Sequence, residues 1–135
     1  ESKSRKLEIL DSNKVERKKV YDLEERTRIF AWDVRLFEKR LKMTIANQED
    51  VRQLVRSSGS IGANYIEANE ALGRKDFLMR IKISRKEAKE SIFWLSLLDI
   101  SNNEELVVQQ KRLSQEATEL MKIFGAILTK SSASS

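Results

Sequence analysis

From Leu23 onward the apolar residues recur in alternating steps of three and four, the spacing that marks one face of a helix rather than a strand. Four such stripes follow one another. The first is Leu23, Thr27, Phe30, Val34, Phe37 and Leu41, and the second, after the polar stretch Asn47 to Asp50, is Val51, Leu54, Ser58, Ile61, Tyr65, Ala68 and Leu72. Past Gly73 come Phe77, Ile81, Ser84, Ala88, Ser91, Leu95 and Leu98; past Ser101 to Asn103 come Leu106, Gln110, Leu113, Ala117, Leu120, Phe124 and Ile127. Each stripe is an a/d-type seam of about 20 residues, roughly 30 Å of helix.

The polar residues between stripes predict the helix ends. Asn47 is expected as an N-cap with Glu49 and Asp50 in the first turn, where carboxylates favour the positive end of the helix dipole. Ser101 and Glu104 have the spacing of a capping box, and Gly73 is expected as a left-handed stop after the second helix. Connections this short make neighbours antiparallel. The predicted fold is all-α, an antiparallel up-down-up-down four-helix bundle over residues 21–130.

Two stretches exceed what a lone bundle needs. Ser57-Ser58-Gly59-Ser60-Ile61-Gly62-Ala63 places two glycines inside a helix, each costing about 1 kcal/mol relative to alanine, and small residues on nearly every side invite close approach by another backbone. Ile92 to Leu98 (Ile-Phe-Trp-Leu-Ser-Leu-Leu) is apolar all round, which predicts burial on more than one face and hence an oligomer contact. The expected subunit interface comprises Gly59, Gly62, Asn64, Glu67, Glu90, Phe93, Trp94 and Leu97.

Composition narrows the chemistry. The 135 residues hold 26 Lys and Arg against 21 Asp and Glu, four Gly, and no Pro, Cys or His. Without Pro, long uninterrupted helices are favoured. Without Cys and His there are no disulfides, no thiolate or imidazole ligands, and no cysteine or Ser-His-Asp catalysis, so no metal, cofactor or catalytic residue is expected. Asn64, Glu67, Asn69, Glu70, Glu87 and Glu90 do not complete a di-metal site of the Glu-x-x-His kind. Asn64 and Glu67 are expected to bond to arginine or backbone groups instead. No stretch reaches the roughly 18 unbroken apolar residues of a membrane span, which predicts a soluble, cytoplasmic protein. Residues 1–20, with seven basic and four acidic side chains, are expected to be a basic, partly mobile arm, and 131–135 a disordered tail. A chain opening on Glu1 is expected to be processed or truncated.

The basic residues form stripes. Lys75, Lys82, Lys86 and Lys89 recur at steps of seven, four and three with Arg85 alongside, and Gly73 to Ile100 carries seven basic and four acidic residues, a net +3. Arg28, Arg35, Lys39 and Lys42 repeat the same spacing. Such faces suit phosphate contact with release of counterions, although a charged stripe is also what an ordinary solvated helix face presents. Gly59-Ser60-Ile61-Gly62 matches the KH-domain GXXG pattern only formally, since it lies inside a helical repeat. Trp32 and Trp94 are expected to pack in the core or an interface.

Gln53-Leu54-Val55-Arg56-Ser57-Ser58-Gly59-Ser60-Ile61-Gly62-Ala63-Asn64, followed by Glu67, resembles the signature of the bacterial four-helix bundle proteins encoded within ribosomal RNA intervening sequences. That family commonly has Gln-Ile-Arg-Arg-Ala-Ala-x-Ser-Ile-Pro-Ala-Asn, then Glu. The resemblance runs through Lys75, Asp76, Phe77, Ile81, Ile83, Ser84, Glu90 and Leu95 and covers about Tyr21 to Lys130; Ser60 to Ser91 matches one branch almost verbatim. Gly62 stands where much of the family has Pro, and Val55 replaces the first of two arginines, leaving Arg56 alone in any role of that pair.

The resemblance implies a ring-shaped homo-oligomer, a pentamer, similar to the accessory variability determinant of diversity-generating retroelements, a basic barrel associated with a reverse transcriptase and RNA. The expected function is therefore non-enzymatic binding of RNA, other nucleic acid or a ribonucleoprotein. Arg56, Lys75, Lys82, Arg85, Lys86 and Lys89 are the principal expected contacts and Arg28, Arg35 and Lys39 secondary ones. The alternative is a scaffold that docks a protein partner, such as a reverse transcriptase, without touching nucleic acid.

Overall fold

The structure, a computed structural model, describes residues 22–133. The basic arm expected over 1–20 and the last two serines lie outside the described residues. Four helices follow in order: α1 (Leu23–Glu38), α2 (Ile45–Asn69), α3 (Arg74–Leu97) and α4 (Glu104–Ala133). There is no strand among the described residues.

Side-chain contacts fix the directions. Thr27 meets Gly62 and Glu24 meets Asn69, so α1 and α2 run antiparallel. Ser57 faces Ser91 and Asn64 faces Arg80 across α2 and α3, Leu95 meets Gln110 across α3 and α4, and Arg26 reaches Glu116 across α1 and α4. The result is a closed cycle with α1 diagonal to α3. All four predicted seams point inward. Phe30, Val34 and Phe37 meet Leu54, Ile61, Ile81, Leu95, Leu113, Leu120 and Phe124 in one core, each such side chain contributing about 1.5–3 kcal/mol by leaving water. The Tyr65 and Phe124 rings, 5.8 Å apart, join α2 and α4 across the diagonal.

The helix ends depart from expectation. Thr44, rather than Asn47, caps α2, its hydroxyl accepting from the Asn47 N–H at 3.0 Å. Asn47 lies inside the first turn, 1% exposed. Its Nδ2 donates to the Lys42 and Asp99 carbonyls, both at 2.8 Å, and its Oδ1 accepts from the Asp99 N–H at 2.9 Å. One side chain thus ties the α1–α2 connection to the α3–α4 connection. Gly73 begins α3 with an extended φ of −141° instead of ending α2. The left-handed positions are Ser101 and Asn102, at φ 51° and 61°, and Asn103 caps α4 through the Leu106 N–H at 3.1 Å. Gln110 donates to the Leu95 and Leu98 carbonyls, adding to the Leu98 N–H that Leu95 already accepts and tying the end of α3 to α4.

Three further differences have simple causes. Leu72 lies past the end of α2 and is fully exposed. At the far end of α4 Leu128 is buried where Ile127 was expected, because a helix of 3.6 residues per turn drifts about 20° per heptad. Ser131 to Ala133, expected to be disordered, extend α4, since each added residue gains a backbone bond once a helix exists.

Replacing Asn47 by alanine takes the partner from the part-buried Asp99 N–H and carbonyl, while the Lys42 carbonyl keeps the Thr44 N–H, so chemical denaturation should show a loss of about 1–3 kcal/mol. Removing the exposed Asn103 cap should cost only about 1 kcal/mol.

Candidate nucleic-acid interface

The rotation of α3 about its axis decides where its charges go. Ser57 and Ser91 share a hydrogen bond 2.8 Å long, and Ser84 donates to the Ile61 carbonyl at 2.9 Å. Ser84, Ala88 and Ser91 are fully buried on that seam, and the opposite side of α3 faces solvent. Lys75, Lys82, Arg85 and Lys89 are exposed there. None of the four has an ion pair or side-chain hydrogen bond among the described residues.

Arg56 and Lys86 are differently placed. Glu87 is a carboxylate only 7% exposed, and Arg56 Nη2 donates to it at 3.3 Å and to Glu90 at 3.2 Å. Lys86 Nζ stands 3.8 Å from Glu87 and 3.9 Å from Glu90. Arg56 thus pairs with a buried acid and its neighbour while half of its side chain remains open to solvent. Lys86 stands beside the same acid, so Glu87 has two cations close to its carboxylate. The sequence contained a signal: Glu87 falls three residues after Ser84 and four before Ser91, on the seam's own spacing. Arg80, not singled out in the sequence, donates to Asn64 Oδ1 at 2.9 Å.

The α1 set lies on the diagonal corner, so the two basic stripes do not share a face. Arg28 is bound to Glu25 through two bonds of 3.0 and 2.7 Å, which raise its pKa further. Arg35 donates to the Ala31 carbonyl at 2.9 Å and lies over Gly59. Lys39 is exposed without a partner among the described residues. Trp32, expected to pack, is exposed with Leu36 on the outside of α1. Behind them Arg26 bridges Glu116 and Glu119, and Arg112 stands 3.5 Å from Asp33. Burial pushes the Asp33 carboxyl up despite the opposing pull of Arg112.

The expected interface residues divide among several surroundings. A Cβ on Gly62 would come within 2.7 Å of Thr27 Oγ1, so the missing side chain there admits α1 of the same chain. Asn64 is held by Arg80, and Glu90 by Arg56 and Lys86. Trp94 packs on the core, whereas Glu67, Phe93 and Leu97 face outward. Between α1 and α2 lies an open groove of about 460 Å³ floored by Gly59, Gly62, Ala63 and Ile66, with Asp22, Glu24, Glu25 and Arg28 at its lip. No group of acidic residues fit to hold a metal exists among the described residues. The buried serines Ser57 and Ser91 bond to each other and to backbone carbonyls, with no base beside them.

A family model described as 23S rRNA-intervening sequence protein matches residues 21–126, from the start of α1 well into α4. The chain belongs to this family. The crystal structure of a protein of unknown function from the S23 ribosomal protein family of Bacteroides thetaiotaomicron is 31% identical, with a TM-score of 0.65 over 78% of this chain and 96% of that one. No curated protein matches the chain. In this member of the 23S rRNA-intervening sequence protein family, the signature from Gln53 to Asn64 serves packing. Leu54, Ser57, Ser58 and Ile61 are buried, Gly62 admits Thr27, and Asn64 positions Arg80. No described helix of the intervening sequence protein is long and apolar enough to cross a membrane.

If Gly62 acts within the chain, Gly62→Ala should destabilise the bundle by about 1–3 kcal/mol, read by urea denaturation. Adding Thr27→Ala, which removes the clashing hydroxyl, should recover part of that loss.

Proposed function

We propose that this protein is a non-enzymatic helical bundle that binds RNA, alone or within a ribonucleoprotein, through the outer face of α3. The observation that carries the reading is the set of four cations, Lys75, Lys82, Arg85 and Lys89, left without partners among the described residues while neighbouring Arg56, Arg80 and Lys86 are engaged. They extend along about 21 Å of helix at 1.5 Å per residue, a length suited to several consecutive phosphates. The association of the family's name with ribosomal RNA intervening sequences is consistent with an RNA partner.

The protein would assemble as a ring, with the pentamer implied by the resemblance to the retroelement barrel, so that each copy adds one basic corner. A cyclic head-to-tail contact joins two different patches. Away from α3, the α1–α2 groove supplies one; Trp32, Leu36 and Val108, exposed on α1 and α4, supply another. That second patch also favours the competing reading, a scaffold docking a protein such as a reverse transcriptase.

Reversing the charge at Lys82, Arg85 and Lys89 together should leave the helical fold intact, because none of the three is paired among the described residues. The variant should bind RNA at least tenfold more weakly and lose about two to three units of salt slope, at 0.7–0.9 per phosphate contact. Unchanged affinity would move the binding site off α3. Lys39→Glu, on the diagonal corner, should have little effect.

A further inference from the structure

We infer that the α3 corner takes single-stranded RNA and stacks an unpaired base on Phe93, an inference that rests on the RNA-binding reading above. Phe93 continues the cationic stripe, since Lys82, Lys86, Lys89 and Phe93 follow at steps of four, three and four on one face, Lys82 and Lys89 without partners among the described residues and Lys86 beside Glu87 and Glu90. At 1.5 Å of rise per residue the steps are about 4.5–6 Å along the axis. The side chain is 55% exposed although it is among the largest apolar groups in the chain. Its ring is not loose. Trp94 meets it in an edge-on contact, with ring centroids 5.0 Å apart and planes at 71°, and Trp94 is itself packed against the core.

An aromatic face held by an anchored neighbour, at the end of a row of cations, combines the two elements that hold single strands: charge that tracks the backbone and a platform on which any base can stack. In a duplex the bases are already paired and stacked within the helix. The cations alone would serve either form, so Phe93 is what confers the preference for the single strand.

The experiment titrates a labelled single-stranded RNA oligonucleotide, and the same oligonucleotide annealed to its complement, against the wild type, Phe93→Leu and Phe93→Trp. Leucine keeps apolar bulk without a stacking face, and circular dichroism checks the fold. The wild type should prefer the single strand, and Phe93→Leu should weaken that binding about tenfold. Its duplex affinity and salt slope should not change, and Phe93→Trp should retain the preference. Equal binding of both RNAs, unaffected by Phe93→Leu, overturns the stacking inference while leaving the basic-face reading intact. A changed assembly mass for Phe93→Leu in light scattering overturns it too, by making Phe93 a subunit contact. Binding of neither RNA to the wild type removes both readings.

Discussion

Two serine hydroxyls 2.8 Å apart, Ser57 on α2 and Ser91 on α3, with Ser84 donating to the Ile61 carbonyl at 2.9 Å, hold these helices at a separation only small side chains permit. Ser84, Ala88 and Ser91, fully buried and small, let α3 approach α2 at this one face and so fix its rotation. With the rotation fixed, the charges of α3 are sorted. Arg80, Glu87 and Glu90 on the α2 side find partners in Asn64, Arg56 and Lys86, and Lys75, Lys82, Arg85 and Lys89 on the far side have none among the described residues.

The rest of the bundle supports this arrangement from its ends. Asn47 joins the two connections at one end through three hydrogen bonds, and Gln110 closes the C-terminal turn of α3 beside it. Along the α1–α4 side, Arg26, Asp33 and Arg40 pair with Glu116, Arg112 and Glu105. Of these, the exposed Arg40–Glu105 pair contributes up to about 1 kcal/mol, and all three set the register of α1 against α4. The outcome is a scaffold whose α3 corner carries four cations without partners among the described residues.

Much of this was legible in the chain. The four seams predicted the core because the period of burial is a property of the helix itself, and Gly62 was marked as a place of close approach. The identity of the approaching backbone was not legible: spacing cannot distinguish a second subunit from Thr27 of the same chain. The partner of Arg56 was hidden for the same reason, since Glu87 is 31 residues away. Caps were the weakest reading. Thr44, Asn47, Ser101 and Asn103 are all competent by type, and the choice among them depends on where the connections meet. The basic stripe of α3 was visible, but its division into paired and unpaired cations required three dimensions.

The central claim is that α3 presents unpaired positive charge to a polyanion. Its most direct test is the anisotropy of a labelled structured RNA titrated with the wild-type protein at about 50 and about 200 mM salt. Four phosphate contacts at a slope of 0.7–0.9 each predict a loss of affinity of about 50- to 150-fold between the two conditions. Absence of binding at the lower salt, or binding indifferent to salt, would contradict the account and return the stripe of α3 to an ordinary solvated helix face.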